Sequence, residues 1–122
     1  MVEFPSPLFV AAPSSLVIVE SPYADPDPFT IEENLSYARR AIRDSLMRGE
    51  HPIASHLLYT QTGILDDRIP HERQRGIDAG LAWRRVADLA VFYVDRGYSN
   101  GMMSARDLYI LEGFPFIERW IL

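Results

Sequence analysis

Residues 89–113 carry the pattern that most restricts how this chain can fold. An unbroken apolar run, Leu89-Ala90-Val91-Phe92-Tyr93-Val94, leads into the polar turn Tyr98-Ser99-Asn100-Gly101-Met102-Met103. A helical stretch follows and stops at Gly113. A strand that is apolar throughout belongs inside a parallel sheet covered on both faces. At the turn, Ser99 or Asn100 can cap the helix. The uncapped N–H groups and the positive end of the helix dipole then suit an anion such as phosphate. Gly101 would let a ligand come close to the backbone. An ordinary strand-to-helix connection uses the same cap residues for structural reasons alone. The turn lacks the GxGxxG and Walker patterns, so neither a dinucleotide nor ATP is specifically signalled, and no cofactor is expected.

The rest of the chain repeats this alternation. Leu16-Val17-Ile18-Val19 reads as a second buried parallel strand, followed by a loop over 22–29 that holds Pro22, Pro26 and Pro28. Thr30-Ile31-Glu32-Glu33 predicts a capping box, and Ile31, Leu35, Ala38, Ile42 and Leu46 recur at helical spacing up to Gly49. His51 to Ser55 predicts a short strand. A long connection over 56–69 holds one helical turn near Leu57-Leu58-Tyr59. Pro70 opens a helix predicted to run to about Ala87. Phe116 to Ile121 is the last strand. In residues 1–14, Pro5, Pro7 and Pro13 confine Leu8 to Ala12 to an edge strand or a docked arm.

The order β-α-β-α-β-α-β predicts a single α/β domain over 1–122. It would be a compact, Rossmann-like three-layer fold with a mostly parallel sheet of four or five strands. A chain of 122 residues, 48% of them hydrophobic, is long enough for one real core. With no cysteine, disulfides, zinc–thiolate sites and thiol nucleophiles are excluded. A net charge of −5 makes nucleic acid an unfavoured partner. No apolar run approaches the ~20 residues that span a bilayer, and no basic region precedes the first apolar stretch. A cytoplasmic protein without membrane or nucleic-acid partners is therefore expected. The crowding of Phe114, Phe116 and Trp120 near the end of the chain, together with Trp83, predicts a homo-oligomer.

In parallel α/β sheets, ligands bind at the carboxyl ends of the strands, where strand order reverses. The segments expected there are Ser21-Pro22-Tyr23, Ser55-His56 and Asp95 to Gly101. Candidate ligand-binding residues are therefore Ser21, Tyr23, His56, Asp95, Ser99, Asn100, Gly101 and Met102. Tyr23 would stack on a base or simply pack. His56 would contact a ligand or serve structurally. Asp95 would meet a ribose, cap a helix or pair with Arg96 or Arg119. Asp78 is the candidate catalytic carboxylate, or else a solvated helix residue. Asp66-Asp67 lacks the further oxygens that a hard cation requires, and the three histidines lack paired metal-ligand spacing, so no metal is expected.

The stretch Ser55-His56-Leu57-Leu58-Tyr59-Thr60-Gln61 combines with Ile64-Leu65-Asp66-Asp67, Gly76 to Trp83 and Ser99-Asn100-Gly101-Met102. Together they resemble an uncharacterised family of small phage-associated and bacterial proteins, over roughly residues 15–121. More remotely, the chain resembles the nucleoside 2-deoxyribosyltransferase superfamily, which includes nucleoside-monophosphate N-glycosidases. That likeness rests on the strand–turn–helix layout, Asp78, and the Ser-x-Gly turn at Ser99 and Gly101. It implies a Rossmann-like fold, an oligomer and a nucleotide-like ligand. It also implies a nucleophilic Glu in the first turn of the last helix, where this chain has Ala105. The expectation is a binder of a nucleotide or nucleotide-derived molecule, able to sequester a signalling nucleotide. The alternative is an N-glycosidase or deoxyribosyltransferase-like enzyme using Asp78.

Overall fold

The computed structural model describes residues 15–121. They form four strands and four α-helices: β1 (Leu16–Glu20), α1 (Pro28–Met47), β2 (His51–Ile53), α2 (Ser55–Leu58), α3 (Pro70–Ala82), β3 (Leu89–Tyr93), α4 (Asn100–Glu112) and β4 (Phe116–Arg119). The sheet order is β2-β1-β3-β4 and every pairing is parallel. The expected arm at residues 1–14 lies outside the described residues.

Strand alternation builds one core on each face. Val17 and Val19 of β1, with Leu89, Val91 and Tyr93 of β3, pack against Tyr37 and Ala41 of α1. The intervening residues Ile18, Ala90 and Phe92 pack against Met102, Ala105 and Tyr109 of α4, with Leu81 of α3 beside them. All five residues of β3 are buried, which is why that strand reads as continuously apolar. The result is a three-layer α/β fold of Rossmann-like type.

Several boundaries differ from the sequence-based expectation; β2, expected to reach Ser55, ends at Ile53, and Ser55 opens α2. α1 starts at Pro28, and its cap is Asp27 rather than Thr30. The Asp27 carboxylate accepts from the Phe29 N–H at 3.1 Å and from the Thr30 hydroxyl at 3.1 Å. Proline at the first helical position has no N–H to satisfy, so the earlier start is favoured. α3 stops at Ala82, not near Ala87, and closes in a 3₁₀ turn over Trp83–Arg85. The chain must drop there to place β3 beside β1. Asp88 fixes that approach, its N–H donating to the Leu16 carbonyl and its carboxylate accepting from the Leu16 N–H. β4 ends at Arg119, and the Ile121 N–H donates to Asp95 instead of continuing the ladder. At the same end, Phe114 and Phe116 pack against the α4-face core, whereas Trp120 is exposed.

α2 and α3 touch through Gly80, which is buried. A Cβ at position 80 would sit 2.3 Å from Ser55 Oγ and 2.6 Å from Ser55 Cβ. Gly80→Ala should therefore push α2 away and cost about 1–3 kcal/mol. Adding Ser55→Gly should restore part of the loss. Urea denaturation of the single and double variants checks this, and a Gly80→Ala protein as stable as wild type would refute the close approach.

Candidate functional site

The connections leaving β1 and β3 run in opposite directions, since β2 lies on one side of this strand pair and β4 on the other. The strand order therefore reverses between β1 and β3, and a crevice opens above their carboxyl ends. A cleft of about 450 Å³ occupies that position. Its walls come from the segment after β1 (Glu20, Ser21, Tyr23), from α2 (Ser55, His56), from α3 (Gly76, Ile77, Gly80, Leu81) and from the start of α4 (Ser99 to Met102, Ala105). A wider depression of about 850 Å³ adjoins it over the loop 60–68, the two sharing Tyr23, Thr60, Asp67 and Arg73.

Ser99 caps α4, its hydroxyl accepting from the Met102 N–H at 3.2 Å. The Ser99 N–H donates to Met102 Sδ at 3.4 Å, and the Met102 side chain enters the core while Met103 stays exposed. The cap uses the Met102 N–H. The N–H groups of Asn100 and Gly101 have no partner among the described residues. Gly101 itself has a negative φ and nothing closer than 3.9 Å to the place of a Cβ. Neither backbone conformation nor packing demands glycine there, although glycine weakens a helix by about 1 kcal/mol relative to alanine.

On the β1 side, Ser21 Oγ and His56 Nε2 lie 2.6 Å apart, with Ser21 buried. Burial pushes the His56 imidazole down to a pKa of about 4, so it is neutral at physiological pH. The tyrosine loop is held by Asn34, whose amide donates to the Tyr23 carbonyl at 3.0 Å. Arg73 pairs with Asp67 at 2.5 Å on the α3 wall. Asp66 is bound by Arg68, whose hydrogen bonds hold its carboxyl down at about 2.

Glu20 is a site residue that sequence reasoning passed over. It ends β1 with the parity of Ile18 and so turns toward α4, where its Oε2 accepts from the Tyr109 hydroxyl at 2.5 Å. Removal from water raises its carboxyl to a pKa of about 7, only partly offset by that hydrogen bond. The available signal was a single carboxylate closing the otherwise apolar strand LVIVE.

Of the sequence-derived candidates, the fold gathers Ser21, Tyr23, His56, Ser99, Asn100, Gly101 and Met102 around one cleft. It does not bring Asp78 or Asp95 there. Asp78 is exposed on α3 and accepts from Gln74 one turn earlier. Asp95 lies toward α1, where it accepts from the Tyr37 hydroxyl at 2.5 Å and from the Ile121 N–H at 3.0 Å. Tyr37 belongs to the core on the α1 face, and that explains the placement.

Fold and cleft together define a Rossmann-like protein with its crevice at the strand-order reversal. The chain belongs to the family described as Domain of unknown function (DUF7768), whose model matches residues 15–118. No curated protein and no solved structure matches the chain. Among the described residues, no helix is long and apolar enough to cross a membrane.

Proposed function

We propose that the cleft binds a nucleotide or nucleotide-derived small molecule, with its phosphate on the Asn100 and Gly101 N–H groups. The observation that carries this reading is Gly101. It is a glycine inside a 13-residue helix that needs none for folding, at the helix's positive end and on the cleft wall. Tyr23 and Tyr59 offer aromatic faces to a base, and Ser21 offers a hydroxyl. The alternative of glycosidic chemistry at Asp78 draws no support from its place outside the cleft.

Gly101→Asp tests the reading with two opposite signs. A carboxylate in the first turn complements the helix dipole, and glycine is replaced by a better helix former. Stability should therefore hold or rise by about 0.3–1 kcal/mol. Nucleoside-monophosphate binding should fall at least 100-fold, because bulk and negative charge enter where the anion sits. Calorimetric titration beside a thermal melt checks both. Unchanged affinity in a folded variant would refute the phosphate site.

A further inference from the structure

Glu20 makes the cleft electrostatically incomplete. Its carboxyl stands at the end of a buried strand and borders the cleft. Among the described residues it has no salt-bridge partner, and Tyr109 is its one hydrogen-bond donor, bound to Oε2. Oε1 has no partner among them. An ionised carboxylate is an acceptor only and takes two parallel N–H donors in a bidentate fork. A carboxylate withdrawn from water without such donors is destabilised, and that withdrawal is what raises the Glu20 carboxyl. Ala105 precedes Tyr109 by one helical turn on the same face of α4 and lines the cleft with only a methyl group, so a ligand has room there. Of the other charged groups lining the cleft, Arg73 of α3 is paired with Asp67, and Glu72 of α3 accepts from the Asp66 N–H.

We propose that Glu20 is the specificity-determining residue of this cleft and reads a pair of adjacent N–H donors on the ligand, which among the common nucleobases is the edge of guanine. Guanine presents a ring N–H beside an exocyclic amine. Adenine and cytosine pair one donor with an acceptor, and uracil flanks its single N–H with carbonyls. Among the described residues Tyr109 meets Oε2 alone and no protein donor reaches Oε1, so the partners an ionised Glu20 still lacks are donors. Sites built to hydrogen-bond a ligand discriminate strongly against analogues that leave a buried polar group unpaired.

This inference rests on the nucleotide reading above, and the experiment separates the two. The 5′-monophosphates of guanosine, adenosine, cytidine, uridine and N1-methylguanosine are titrated calorimetrically into wild type and Glu20→Gln at about pH 8. Wild type should bind guanosine monophosphate at least roughly tenfold more tightly than the others. Methylation of N1 should erase that advantage. Glu20→Gln should lower guanosine monophosphate to the level of the others and leave their binding intact, which also shows that the variant is folded. Equal affinities in wild type, or a guanine preference that survives in Glu20→Gln or after N1 methylation, would overturn the role of Glu20 and leave the nucleotide reading standing. Binding of none of the five by wild type would overturn both.

Discussion

Replacing Glu50 by alanine should cost about 3–5 kcal/mol of folding stability, a large part of the ~5–15 kcal/mol that holds a domain of this size. Glu50 is fully buried just before β2, and it faces Arg119 at the end of β4, which is 5% exposed. The two side chains meet in a fork, Nη1 to Oε1 at 2.8 Å and Nη2 to Oε2 at 2.7 Å. Ser45 donates to Oε1 at 2.7 Å, and Arg119 also donates to the Tyr93 hydroxyl, which in turn donates to Asp44. Deleting the carboxylate leaves a guanidinium without its counter-charge in the interior, and that uncompensated charge is the main cost. The double variant Glu50→Leu with Arg119→Met removes both charges and should be clearly more stable than Glu50→Ala. Urea denaturation of both proteins decides the matter. A loss below about 1 kcal/mol in Glu50→Ala would contradict this account, as would a double variant no better than the single one.

The second large effect is in pH. Glu20 holds its proton more tightly folded than unfolded, about 7 against 4.5. Between those values the native state binds more protons, so this residue's contribution to stability falls as pH rises. His56 is the mirror case, about 4 folded against 6.5 unfolded. Its contribution is complete above the unfolded value and is lost as pH falls toward 4. Over pH 4.5–6.5 the two slopes oppose each other in wild type. Glu20→Gln removes one of them. Relative to wild type it should gain no more than about 3 kcal/mol at pH 8 and nothing near pH 4. His56→Gln should remove the other slope and leave stability falling steadily with pH through the same window. Denaturation series at several pH values supply the test, and parallel profiles for wild type and Glu20→Gln would contradict the raised proton affinity of this carboxyl.

The fold was legible because its signals are local. The apolar runs at 16–19 and 89–94, Pro70 at a helix start and Gly113 at a helix end each carry one physical meaning. The turn at Ser99 was legible for the same reason, whereas which of Met102 and Met103 enters the core was not. What sequence could not resolve was which face a residue takes at the edge of an element. Asp95 follows β3 directly, yet it turns toward Tyr37 on α1 and away from the cleft. Asp78 has the apolar neighbours Ile77 and Ala79, but α3 presents it to solvent beside Gln74. Glu20 was the opposite case, a carboxylate ignored because a strand's last residue looks like the first of a loop. Its partner is Tyr109, 89 positions further along the chain, and no local pattern reports such a contact.

The parallel sheet also has a consequence for the order in which this protein comes into being. β1 obtains its two neighbours at different times: Leu16 pairs with His51, but Val17 pairs with Leu89. A chain emerging from the ribosome therefore carries one open, apolar strand edge until β3 has been made. The four walls of the cleft come from segments equally far apart, so none of them presents a usable surface alone. The last of them, the start of α4, follows β3 in the chain, so the cleft is complete only once α4 has formed. A ligand of the kind proposed above would therefore act as a late clamp, binding only chains that have already closed the β1–β3 seam and drawing them out of the pool at risk of aggregation.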